Sequence, residues 1–173
     1  ASVTWAPVTD NYAGTIVLTD GTLNIGPDAS THAIANSGTV TLNTSTTLGS
    51  GAISGTGAVN FASGNTTTTL SGTFPTNTGT NTVVAGGTLT LAASGALANI
   101  TNSGTLTLAD KVLTINQSGT STINGTISGS ATGGLTIDHA SASVTWAPAT
   151  ENYTGGRVVT EGTLNIVPNA STH

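Results

Sequence analysis

Asp138 and His139 form the single adjacent pair of carboxylate and imidazole in the chain. Such a pair can pass a proton, but catalysis also needs a nucleophile or metal and a cleft that holds substrate against them. No serine elbow and no metal-ligand spacing accompanies the pair, so the sequence predicts a solvated corner at Asp138-His139. Asp10, Asp20, Asp28 and Asp110 are dispersed, and Lys111 and Arg157 are the only basic residues. A sugar-cleaving enzyme would need clustered carboxylates, or a base beside a groove. The glycine-rich, aspartate-bearing nonapeptide that binds calcium in some β-rolls is absent. His32 and His173 occupy equivalent places in a repeat described below, which marks them as scaffold features. The reading is of a chain with no enzyme activity, no metal and no cofactor.

Two sets of residues could bind without catalysing. Trp5, Tyr12, Trp146 and Tyr153 are the large rings besides Phe61 and Phe74. They could stack on sugars, or they could plug the interior at a corner set by Pro7 and Pro148; the second use is the commoner one for so few rings. The pairs Thr39/Thr41, Thr88/Thr90 and Thr105/Thr107 could form a flat hydroxyl grid of the kind that ice-binding solenoids display. They also suit the ordinary outward face of a strand, and Asn24 and Asn165 interrupt the pattern.

These residues are positioned by a short recurring stretch. It reads Gly21-Thr22-Leu23-Asn24-Ile25, Gly38-Thr39-Val40-Thr41-Leu42, Gly87-Thr88-Leu89-Thr90-Leu91, Gly104-Thr105-Leu106-Thr107-Leu108 and Gly162-Thr163-Leu164-Asn165-Ile166. Each is a turn glycine followed by period-two alternation, the pattern of a half-buried strand. The apolar residues should face a core and the Thr or Asn residues solvent. The step from Gly21 to Gly38 equals the step from Gly87 to Gly104. A strand returning at that spacing is one coil of a solenoid. No window has helical periodicity, and the glycines should mark corners with unusual φ.

A longer repeat overlies the short one. Ala1–His32 returns as Ala142–His173 at an offset of 141, with 23 of the 32 aligned residues identical. Asp10/Glu151 and Asp28/Asn169 are mild exchanges, and Ile16/Arg157 is the largest. The chain is thus one β-solenoid domain, 1–173, in which 1–141 is one long unit and 142–173 the start of the next. The predicted fold is all-β, a parallel β-helix of about eight coils, with about seven coils per long unit.

Composition agrees. Charged residues make up 5% of 173 residues and the net charge is -5. Like charges stacked coil on coil would repel, so an uncharged Thr, Ser, Asn and Gly surface is what a parallel stack tolerates. Two basic residues exclude a nucleic-acid footprint. No apolar run approaches the roughly 20 residues of a membrane-spanning helix. Cysteine is absent, so redox chemistry does not fix the compartment. Ala1 opens directly in strand-like sequence, as expected of a mature or trimmed segment.

The stretch Ile123-Asn124-Gly125-Thr126-Ile127-Ser128-Gly129-Ser130 followed by Gly133-Gly134-Leu135-Thr136 resembles the passenger repeats of bacterial autotransporters. So does Glu151–Val159 running into Gly162-Thr163-Leu164, and, more briefly, Asn11–Ile25. The resemblance implies a right-handed parallel β-helix on the bacterial surface, and it says little about activity. The function expected is that of a structural segment in a long extracellular filament or adhesin stalk. Its partners would be further copies of the repeat, end to end, and cell-surface glycans. The alternative is a module that binds glycan, host surface or ice along one face.

Overall fold

A computed structural model describes residues 1–5, 14–26, 32–48, 53–72 and 74–168. Tyr12, Pro7, Asp10, Asp28 and His173 lie outside the described residues. All regular structure within them is β, and every strand pairing is parallel. The chain winds as a parallel β-solenoid with three faces around one continuous aliphatic core.

The long face runs from end to end of the described coils. Its strands begin with Ser2–Trp5, Thr22–Ile25, Thr39–Leu42, Ala58–Phe61 and Asn81–Val83. Thr101–Asn102 and Gly119–Ile123 follow, and the face closes with the C-terminal parts of Gly134–Trp146 and Gly156–Ile166. Its register can be followed residue by residue: Thr4 beside Asn24, then Thr41, Asn60, Thr82, Thr101, Thr122, Thr145 and Asn165. The seventh step lands on Thr145, which is Thr4 plus 141. The long repeat is therefore seven coils, and it returns the chain to the same face in the same register. Coil length is not constant: the step from Asn24 to Thr41 is the shortest and that from Thr122 to Thr145 the longest. The turns absorb that variation and the ladder does not.

A second face stacks Thr46–Leu48, Thr67–Leu70, Thr88–Leu91, Thr105–Ala109, Thr126–Gly129 and Thr150–Tyr153. The third face has two blocks. Ile16–Leu18, Ile34–Asn36 and Ile53–Gly55 form one. Gly95–Leu97, Val112–Ile115 and the N-terminal parts of Gly134–Trp146 and Gly156–Ile166 form the other. Between the blocks the chain carries Phe74-Pro75, whose proline can donate no ladder bond. The coils stay joined there by Thr76 N–H to Ile53 O (2.7 Å) and Thr78 N–H to Gly55 O (2.8 Å).

The period-two expectation holds for Leu23, Ile25, Val40, Leu42, Leu89, Leu91, Leu106 and Leu108, all buried. It fails at the last described coil, where Leu164 is only partly buried and Ile166 is 60% exposed. Their equivalents Leu23 and Ile25 have a coil on each side, whereas Leu164 and Ile166 have one on a single side.

The glycines also differ from expectation. Gly21 and its repeat partner Gly162 do take positive φ, 85° and 99°. Gly38, Gly87 and Gly104 do not; what excludes a side chain there is the coil beneath. A Cβ on Gly38 would lie 2.4 Å from Gly21 O, and one on Gly57 2.3 Å from Gly38 O. Glycines stack on glycines because each carbonyl fills the space that the next Cβ would need.

The interior also holds buried amides. Asn36, Asn77 and Asn102 each open an Asn-Ser/Thr-Gly triplet, and each is 1% exposed or less. Their Nδ2 groups donate to backbone carbonyls of a neighbouring coil, at Ala58 O (2.9 Å), Gly57 O (3.0 Å) and Thr126 O (3.1 Å) respectively. They add side-chain ties between coils at the corners, beside the backbone bonds that continue there.

A paired substitution tests the stacking account. Gly38→Ala should cost about 3 kcal/mol, the upper range for overpacking, because its close neighbours are backbone atoms that cannot step aside. Gly156→Ala, where nothing lies within 4 Å of the added Cβ, should change stability by less than about 0.5 kcal/mol. Equilibrium denaturation of the two variants checks the contrast.

Candidate functional site

The acid and imidazole singled out by sequence lie at a bend on the surface. Asp138 and His139 lie where the strand Gly134–Trp146 bends from the third face to the long face, and the ladder slips register on both sides of Asp138. Asp138 is exposed, and His139 Nδ1 accepts a hydrogen bond from Ser141 N–H at 3.1 Å. Asp110 pairs with its neighbour Lys111 at 2.8 Å on the surface, and that ammonium lowers the Asp110 pKa. Among the described residues no three of His, Cys, Asp and Glu are grouped closely enough to hold a metal ion.

Two of the four candidate rings, Trp146 and Tyr153, come together inside. Trp146 and Tyr153 are 1% and 6% exposed, with ring centroids 5.6 Å apart, so their faces are not offered to a sugar. Trp146 sits in the inward file of the long face above Ile123, and Tyr153 closes the second face beside Gly129. Arg157 lies over both rings, 4.3 Å from the Trp146 centroid and 5.5 Å from that of Tyr153. Its guanidinium pairs with Glu151, whose other oxygen accepts from Trp146 Nε1–H at 3.3 Å. Tyr153 O–H donates to Gly156 O at 2.6 Å. The arrangement is a lock on the corner between the second and third faces. Burial lowers the Arg157 pKa, yet a guanidinium stays charged throughout the ordinary pH range. Sequence reading found both rings but missed this lock, although the Ile16/Arg157 and Asp10/Glu151 exchanges were its signal. The other copy lacks it, since Ile16 stands where Arg157 would. Trp5 is half-buried, with its ring edge-on to His32 at 6.4 Å.

The threonine pairs are divided between faces. Thr39/Thr41 stand on the long face, where Asn24, Asn60 and Asn165 share their file. Thr88/Thr90 and Thr105/Thr107 stand on the second face, in consecutive coils. There Thr67, Thr88, Thr105, Thr126 and Thr150 form one unbroken outward file. Thr47, Thr69, Thr90, Thr107, Ser128 and Asn152 form the file beside it. The two files are about 6.8 Å apart and their members about 4.8 Å apart along the axis. The asparagines that interrupt the sequence pattern thus belong to a different face.

One cleft of about 390 Å³ opens where the third face is interrupted. Phe74, Pro75 and Ala96 give it an apolar floor, and Ser94, Asn116 and Gln117 line its rim. Gly95 lets the Phe74 ring lie flat on the backbone, since a Cβ there would be 2.4 Å from the ring. Among the described residues no ionisable side chain lines the cleft; its polar groups are the hydroxyls of Thr76 and Ser94 and the amides of Asn116 and Gln117, which can hydrogen-bond a neutral ligand.

No family model, curated protein or solved structure matches this chain.

The lock has a pH signature. Burial raises the Tyr153 phenol above its ordinary 10.0, and the carbonyl it bonds needs the protonated form. A raised folded-state pKa means stability is level below about pH 10 and falls as pH rises through the higher folded value. In a Tyr12→Phe background, thermal melts should show this alkaline loss, and adding Tyr153→Phe should remove it while costing about 1 kcal/mol at neutral pH.

Proposed function

We propose that this chain is a structural segment of a long, repetitive extracellular bacterial filament or adhesin stalk, built by stacking coil on coil. The observation that carries the reading is the register of the long face: seven steps take Thr4 to Thr145, its equivalent in the next unit. A repeat that closes on a whole number of coils can be iterated without a change of face or register between units. The neutral surface, with sparse charges and no metal-holding cluster among the described residues, suits a rod that presents surface more than a site that turns over substrate. The similarity of Ile123–Thr136 and Glu151–Leu164 to autotransporter passenger repeats supports the same setting. Chains extended to two and three 141-residue units should lengthen by about 34 Å per unit, seven spacings of about 4.8 Å, in small-angle scattering or electron microscopy. Units that fold back on one another, or an increment far from that value, would remove the filament reading.

The two aligned hydroxyl files of the second face favour a second reading, a surface that binds a flat, uncharged partner such as a glycan or ice. Thr105→Lys and Thr126→Lys point outward and should leave the fold intact. They should abolish any ice shaping or glycan-array binding shown by the parent, while Thr41→Lys and Thr101→Lys on the long face should not.

A further inference from the structure

The cleft in the third face is shaped by residues that break the pattern of their own files. In the inward file Gly95 stands where the next two coils carry Leu113 and Leu135. The space of the missing side chain is taken by the ring of Phe74 from the preceding coil, 2.4 Å from where a Cβ on Gly95 would lie. In the outward file Ala96 stands where those coils carry Thr114 and Thr136. Among the described residues the coil of Phe74 has no strand between Leu70 and Asn81, and Phe74 and Pro75 are both buried at the base of the cleft. A ring is drawn inward, a side chain is shortened outside, and a hollow is left between them.

Polar groups stand at both ends of the strand Gly95–Leu97. Ser94 precedes it, with its hydroxyl fixed by accepting from Val112 N–H at 2.9 Å. Past the other end, Asn116 N–H donates to Leu97 O at 3.2 Å, which sets the Asn116-Gln117 amides on the coil next to Ala98. The side chains of Thr76, Asn116 and Gln117 make no hydrogen bond within the protein, so their donors and acceptors are open to a ligand. From Ser94 to Ala98 is about 13 Å along the strand, and the coils of Thr76, Ser94 and Asn116 span about 10 Å along the axis. Chemistry narrows what fits. A charged ligand would lose water and find no counter-charge on the described lining, and Lys111, next to Val112 in the chain, is already paired with Asp110 at 2.8 Å. A purely apolar ligand would cover the rim amides and leave them without partners. A sugar ring has the complementary surface: C–H groups on its faces and, around its edge, hydroxyls that donate and accept as an amide does.

We propose that this cleft binds a short neutral saccharide. The sugar lies on Pro75, Ala96 and the margin of the Phe74 ring, with its hydroxyls bonded to Ser94 at one end of the strand and to Asn116 and Gln117 at the other. At about 390 Å³ the cleft is at the small end of ligand sites, which suits a monosaccharide or disaccharide unit and not a long chain. This site is independent of the filament reading, and it uses a different surface from the hydroxyl files of the second face.

Nuclear magnetic resonance of the isotope-labelled chain tests the proposal. The probes are glucose, galactose, mannose, N-acetylglucosamine, cellobiose, lactose and diacetylchitobiose. Each is titrated to about 10 mM, tenfold above the roughly 1 mM dissociation constant expected of so small a site. At least one sugar should shift the backbone signals of Gly95, Ala96 and Gln117 together with the side-chain amide signals of Asn116 or Gln117. Asn116→Ala combined with Gln117→Ala should weaken that binding by about tenfold, through the hydrogen bonds lost. Ala96→Trp should abolish it by filling the floor. Both changes lie on the outer surface and should leave the circular dichroism unchanged; if Ala96→Trp alters it, the double variant decides. Thr105→Lys on the second face should leave the titration as it was. Glucuronic acid, glucosamine and acetylated, amidated dialanine, as charged and peptide controls, should bind at least about tenfold more weakly than the best sugar. No shift from any sugar of the panel, shifts confined to the second face, undiminished binding by the double variant, or controls that bind as well as the sugars would each overturn the proposal. None of these outcomes bears on whether tandem units lengthen in equal steps, so the filament reading stands or falls separately.

Discussion

The structure depends on one constraint: each coil must lie in register on the coil below at the spacing of a parallel backbone ladder. At that distance every side chain has its nearest non-local neighbour directly beneath it. Like therefore lies near like, aliphatic on aliphatic within and hydroxyl or amide on hydroxyl without. Stacked carboxylates or ammonium groups would repel along the whole axis, and 5% charged residues is the composition that follows. The glycine columns have the same cause. Gly38 and Gly57 are glycines because a carbonyl of the preceding coil already occupies the place of their Cβ.

Where the ladder weakens, other interactions take over, and these places carry the individuality of the chain. Phe74-Pro75 interrupts the third face, and backbone bonds from Thr76 and Thr78 with the Asn77 amide hold the coils across the gap. The result is a cleft with an apolar floor and a neutral rim. At the corner between the second and third faces Arg157 spans Glu151, Trp146 and Tyr153. Trp146 and Tyr153 pack together there, both buried. The half-exposed ion pair is screened by solvent, and the lock owes more to burial of the rings than to its charges.

The same geometry disposes the surface: two faces run as continuous ladders, the third is divided into two blocks, and among the described residues no three of His, Cys, Asp and Glu group closely enough to hold a metal ion. What the fold does supply is length, added in equal steps, and flat faces of defined spacing. The coil lengths decide which residues come together on one face.

The sequence by itself determined the strand character, the inward and outward sets, the solenoid and the 141-residue unit. Each of these depends on local alternation or on direct self-comparison. Tertiary structure decided which face each strand occupies. The pentapeptides at Gly21, Gly38 and Gly162 lie on the long face, and those at Gly87 and Gly104 on the second. The shared glycine and alternation do not set the face, which depends on turn lengths accumulated over coils of unequal length. Thr39/Thr41 and Thr88/Thr90 read alike yet belong to different surfaces for that reason. The buried amides of Asn36, Asn77 and Asn102 escaped notice because Asn-Ser-Gly and Asn-Thr-Gly read locally as exposed turns. Only the coil stacked against each corner supplies the carbonyl that makes burial of the amide favourable, and that carbonyl belongs to a residue one whole coil away in the chain.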